Sequence, residues 1–131
     1  MSEERPHYIG VPGFYNLNLA CRVINEAFPD AFGCYLVGSS LKKRDYRDVD
    51  VRVIMDDADY ERLFDGLSGN QQVNAKWNLM CVAISEWLAS RTGLPIDFQI
   101  QKQSEANAEY SPKNGHKRNA LGLFFSPREQ P

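Results

Sequence analysis

Two aspartates one residue apart open a β-prone run, Asp48-Val49-Asp50-Val51-Arg52-Val53-Ile54-Met55. Successive side chains of a strand point to opposite faces. Asp48, Asp50 and Arg52 therefore share one face, and Val49, Val51 and Val53 share the other. Two carboxylates crowded together repel unless a cation lies between them. Hard oxygen ligands of this kind suit Mg²⁺, with Mn²⁺ as the alternative. Upstream, the apolar run Cys34-Tyr35-Leu36-Val37 enters the turn Gly38-Ser39-Ser40. Such a turn offers backbone N–H groups and hydroxyls that hold phosphate. A phosphate cradle beside metal-binding carboxylates is the equipment of phosphoryl or nucleotidyl transfer.

In this order the pieces resemble the signature of the DNA polymerase β-like nucleotidyltransferase superfamily. That signature is a hydrophobic residue, Gly, then Ser or Gly, a spacer, and Asp-hydrophobic-Asp-hydrophobic. It matches Val37-Gly38-Ser39, a spacer from Ser40 to Arg47, and Asp48-Val49-Asp50-Val51. The family's third carboxylate lies on a later strand, and Pro95-Ile96-Asp97-Phe98-Gln99-Ile100 resembles that strand. The spacer is slightly shorter than the family usually shows, which implies a tight loop carrying Lys42, Lys43 and Arg44. The resemblance spans Cys34 to Ile100, about half the chain.

What the resemblance implies is an NTP donor whose NMP, AMP for example, passes to a hydroxyl with release of pyrophosphate. Asp48, Asp50 and Asp97 would be the catalytic residues and the ligands of two Mg²⁺ ions. Gly38, Ser39, Ser40, Lys42 and Arg52 would meet the nucleotide and its phosphates. For Arg52 an ion pair with Asp50 or Asp97 stands as an equal alternative. The acceptor is left open between a protein side chain, an RNA end and a small molecule. Small family members also imply a helical partner protein, as in toxin–antitoxin pairs.

The elements that must position these residues follow from periodicity. Leu17, Ala20, Cys21, Ile24, Ala27 and Phe28 fall on one face of a helix beginning after Tyr15, with Asn16 as N-cap and Pro29 closing it. A second helix from about Ala75 to Arg91 repeats the spacing with Trp77, Met80, Cys81, Ile84, Trp87 and Leu88. Asn74 is placed to cap its start, and Gly93 with Pro95 to end it. Asp56, Asp57 and Asp59 read as the start of a short helix over Tyr60 to Leu67 rather than as metal ligands. Ser68 to Gln72 is a polar loop. From Leu94 to Gln101, Ile96, Phe98 and Ile100 alternate with Asp97, Gln99 and Gln101. This second polar row matches Asp48, Asp50 and Arg52 and supports Asp97 as the third ligand. The expected fold class is α+β, a nucleotidyltransferase-like mixed sheet with helices packed mainly on one face.

At 131 residues the chain reads as one domain, 1–131, with a loop-like arm 1–13 and a polar, loop-like extension 102–131. Its 43% hydrophobic and 24% charged residues argue against wholesale disorder. A net charge of -2 confines any nucleic-acid contact to a local patch. Cys21, Cys34 and Cys81 read as reduced core residues of a cytoplasmic protein, and no signal peptide or membrane span is expected. In the extension, Lys113, His116, Lys117 and Arg118 form a basic cluster, open between a phosphate or RNA contact and a solvated loop. Leu121, Leu123, Phe124 and Phe125 read as an extra strand docking back onto the domain. A catalytically degenerate module that binds a nucleotide or partner is the main alternative to an enzyme. A small RNA-binding protein is the third reading.

Overall fold

Valines and isoleucines alternating with polar residues make the strands, and a computed structural model shows how they associate. It describes residues 7–64, 74–111 and 117–123. The elements in order are α1 (Val11–Ala27), β1 (Gly33–Val37), a 3-10 turn (Ser39–Leu41), β2 (Val49–Met55), α2 (Asp57–Leu63), α3 (Ala75–Thr92), β3 (Ile96–Lys102), α4 (Gln103–Glu109) and β4 (Asn119–Leu121). They form an α+β fold around a four-stranded sheet of order β3-β2-β1-β4. β1 runs antiparallel to β2 and β4, whereas β2 and β3 are parallel. The sheet is mixed, as expected.

One face of the sheet is apolar. Cys34 and Leu36 of β1 lie opposite Val53 and Val51 of β2, which lie opposite Ile100 and Phe98 of β3. α1 and α3 cover this face with Leu17, Cys21, Ile24, Trp77, Cys81 and Leu88. Fully buried side chains such as Leu17, Leu36, Val51 and Leu88 each stabilise the fold by roughly 1.5–3 kcal/mol. Both tryptophans belong here, Trp77 in the core and Trp87 packed against it. The three cysteines are buried and unpaired. A hydrogen bond to Cys21 and burial push the Cys34 thiol far up, and burial pushes Cys81 to about 11. Neither is a nucleophile at neutral pH.

Side-chain and glycine caps bound α3 and α2. The Asn74 side chain accepts from Trp77 N–H at 2.8 Å, and Gly93 ends α3 in the left-handed region at φ +72°. Asp56 caps α2 by accepting from Ala58 N–H. α1 departs from expectation, because it starts at Val11 with Gly10 as N-cap, not at Asn16. Pro12 lies in its first turn, where a missing N–H leaves nothing unsatisfied. The described part of the preceding segment, residues 7–10, packs against the domain. Ile9 is buried, His7 stacks on Phe14, and Tyr8 N–H donates to Ser40 O at 2.8 Å.

The extension also differs from a loop. Gln103–Glu109 is helical, and Asp57 accepts from Ser104 N–H at the start of this helix. Arg118 closes its other end, donating to Ala106 O, Tyr110 O and Asn107 Oδ1. An extra strand, β4, does dock onto β1, but it spans Asn119–Leu121 and shares only the buried Leu121 with the expected one, and Leu123 is exposed. The loop Ser68 to Gln72, the end of the short helix at Leu67, Lys113 and His116, and Phe124 and Phe125 lie outside the described residues.

The β3 edge is closed by α3 without another strand. Ser85 Oγ accepts from Phe98 N–H at 2.9 Å and donates to Phe98 O, and Trp77 Nε1 donates to Ile100 O at 2.9 Å. Among the described residues no helix is long and apolar enough to cross a membrane.

Candidate functional site

The opposite face of the sheet carries the polar rows. Asp50 sits on the central strand β2, paired with Val37 on one side and Asp97 on the other. Register alone therefore brings the first and later carboxylate motifs side by side, just where β1 delivers the Gly38 turn. Gly38 has φ +84°, and a Cβ there would collide with Asp50 Oδ2. Both the backbone conformation and the space demand glycine. The bare glycine lets the turn lie directly against the carboxylate.

Beyond Gly38 the chain closes a tight 3-10 turn. Leu41 N–H bonds to Gly38 O, and Lys42 and Lys43 N–H both bond to Ser39 O. Ser39 is half-buried at the start of the turn, whereas Ser40 is fully buried. Ser40 Oγ has no hydrogen-bond partner among the described residues. Its hydroxyl is withdrawn from solvent. Lys42 is exposed, and the Arg44 guanidinium lies 5.7 Å from the centre of the Tyr8 ring.

Arg52 follows Asp50 on the same face and is 5% exposed. It is turned to the carboxylates and away from solvent. Nη2 lies 3.9 Å from Asp50 Oδ1 and 3.6 Å from Asp97 Oδ2. Nη1 donates to Asp97 O at 2.8 Å and Val51 O at 3.1 Å. Of the two readings open for Arg52, the ion pair is the one the geometry carries, with both aspartates rather than one. Gln99 Nε2 reaches Asp97 Oδ1 at 3.3 Å.

Even with this cation, negative charge is under-compensated at Asp50. Its carboxyl is pushed up to about 6, first by withdrawal from water, against the opposing pull of Arg52. Asp97, Asp48 and a hydrogen bond shared with Asp97 push it further in the same direction. Asp48 is exposed just before β2, within electrostatic reach. Among the described residues, no three His, Cys, Asp or Glu side chains are grouped to hold a metal ion. The structure thus pairs Asp50 with Asp97 and leaves Asp48 beside them.

A Mg²⁺ ion fits this donor set in one specific sense. Magnesium is commonly held by one or two carboxylates, with substrate phosphates and water completing its shell. A desolvated carboxylate raised by its acidic neighbours is a group whose ionised form such an ion favours.

Sequence reasoning missed Tyr110, whose phenol is raised by burial and hydrogen-bonds with Arg52. The available signal was the four-residue spacing of Ala106 and Tyr110, the two buried residues of this stretch. Comparison with protein-family models, curated proteins and solved structures finds no match to this chain.

Proposed function

We propose that this protein is a Mg²⁺-dependent nucleotidyltransferase that moves NMP from an NTP to a hydroxyl acceptor and releases pyrophosphate. The observation that supports it most is the in-register pair Asp50 and Asp97, with the side-chain-free Gly38 turn pressed against Asp50. Asp50 and Asp97, with Asp48 at the rim, would hold the metal. When bound, it supplies positive charge to the oxygens of an in-line displacement.

The chain's own residues divide the remaining tasks. Gly38 lets the turn approach the phosphates, and Ser39 and Lys42 are the side chains placed to contact them. Ser40 is buried within the turn. Asp97 has the more exposed of the two carboxylates, 40% against 21%. It is the better placed to orient an incoming hydroxyl and take its proton. Arg52 holds both carboxylates from beneath and offsets part of their repulsion. The acceptor oxygen forms a bond to the α-phosphorus as the bond to pyrophosphate breaks.

One observation favours the second reading, a non-catalytic module of the same architecture. Arg52 already supplies a buried cation to both aspartates, which is what a degenerate site would retain. A reading based on RNA binding by the basic cluster is weakened, since Arg118 is engaged in closing α4.

Titration calorimetry of each NTP with Mg²⁺ into wild type and Asp50→Asn/Asp97→Asn tests the proposal. Metal-dependent binding of an NTP, lost in the double variant, is the expected result. Binding without pyrophosphate release, whatever acceptor is supplied, would support the module. No NTP binding at all would overturn the enzyme.

A further inference from the structure

Four large hydrophobic residues of α1 stay out of the core. Val11, Tyr15, Leu19 and Val23 follow one another at intervals of four along its outer side and are between 43% and 81% exposed. Apolar residues scattered singly over a surface are ordinary. Four at this spacing form one of the ridges with which a helix packs against another helix. The 17 residues of α1 include only two charged ones, Arg22 and Glu26, and these pair with each other. A face short of charge, with the charge it has already offset, has the character of an interface centre.

The same side of the molecule holds a hollow. Where α1 meets α3, a dent of about 270 Å³ is lined by Asn16, Leu19, Ala20, Val23, Trp87 and Arg91. The Arg91 guanidinium lies over the Trp87 ring, 5.3 Å from its centre, so an aromatic face offsets this charge too. Tyr15 stands one helical turn before the dent and is mostly exposed. A projecting ring and a hollow that takes one, both on the same face, make that face complementary to a copy of itself.

We propose that this face is the interface of a homodimer, with a twofold axis passing between Tyr15 and the dent. Tyr15 of each copy fills the dent of the other, and Leu19 lies beside the axis. The four ridge residues leave on the order of 400 Å² in water, and with Trp87 they approach the roughly 500 Å² of apolar surface that one partner brings to a standard homodimer interface. A different protein would have to be selected by charge, and the paired Arg22 and Glu26 and the stacked Arg91 give it little to read. α1 and α3 cover the apolar face of the sheet, so the dimer leaves Gly38, Asp50 and Asp97 open on the other side. The proposal stands whatever reaction those residues perform.

Sedimentation velocity of the full chain from about 1 to 200 μM should show a reversible dimer with a Kd of roughly 10 μM or tighter. Tyr15→Ala, which empties the dent, should weaken it about tenfold or more, whereas Tyr15→Phe should not. Leu19→Glu sets two carboxylates beside the axis and should leave a monomer. Val82→Glu changes a similarly exposed residue that lines the hollow between α3 and β3, and should leave the dimer intact. All four changes lie at exposed positions, and circular dichroism confirms that each variant is folded. Trp87 emission should move to the red on dilution as the dent loses the Tyr15 ring, while Trp77 stays buried. A monomer at every concentration would overturn the proposal and leave the face to another protein or to another segment of this chain. A dimer that tolerates both Tyr15→Ala and Leu19→Glu, or that Val82→Glu dissolves, would overturn it as well. So would a dimer whose dissociation leaves Trp87 emission unchanged.

Discussion

Gly38 and Asp50 are pressed together so closely that the space a Cβ would need at Gly38 is occupied by the Asp50 carboxylate. The contact joins the two halves of the proposed site, the phosphate turn and the metal carboxylates. It also makes them interdependent.

Gly38→Ala meets both the φ of +84° and the Asp50 side chain. The substitution should destabilise the fold by roughly 1–3 kcal/mol and displace Asp50. Urea denaturation reads the first effect. Loss of Mg²⁺-dependent NTP binding, beyond what the lost stability explains, reads the second.

Asp50 makes stability depend on pH with a definite sign. Its carboxyl is raised from an ordinary 3.8 to about 6, so between these values the folded chain holds a proton that the unfolded chain has lost. The contribution is fully present below pH 3.8 and disappears as pH rises through 6. Asp50→Asn should therefore gain relative to wild type between pH 4.5 and 7.5, by on the order of 1 kcal/mol after allowing for solvent screening. Denaturation curves at the two pH values decide it, and equal differences at both would count against a desolvated Asp50.

Arg52→Gln withdraws the guanidinium from two carboxylates and a donor from the Val51 and Asp97 carbonyls. A loss of roughly 2–4 kcal/mol is expected. Mg²⁺ should then restore part of the melting temperature in the variant, and more of it than in wild type, because binding to the folded state stabilises it. Thermal melts with and without MgCl₂ make the comparison. A variant indifferent to Mg²⁺ would argue that the pair is not a metal site.

Trp77→Phe keeps most of the buried ring but removes the Nε1 donor to Ile100 O. The orphaned carbonyl should cost about 1–2 kcal/mol. Exchange protection of amides in β3 should fall locally, whereas that of β1 should change little.

How much was legible depended on the range of the interaction. Asn74 and Gly93 bracket α3 because a cap is satisfied within a few residues, so sequence suffices. The start of α1 is not legible because Pro12 and Gly13 suit a loop and a first turn alike. What selects the turn is the packing of His7 on Phe14 and of Ile9 in the core. α4 reads as loop because Gln103–Glu109 is short and polar; its start is fastened by Asp57, 47 positions from Ser104, and its end by Arg118 from beyond the helix.

By itself the sequence determined which residues share a face. Strand alternation puts Asp50 with Arg52 and Asp97 with Gln99 and Gln101, whatever the partners, because side-chain direction is set by the local backbone. It also marked Gly38 as a turn. Only the tertiary structure decided that β3 lies parallel to β2 with Asp97 opposite Asp50, since register comes from the crossover through α3 and the packing of the apolar face. It alone decided that Arg52 is buried between the two carboxylates under the cover of α4. Burial is a property of what packs on top, and that cover is contributed by residues more than fifty positions away in the chain.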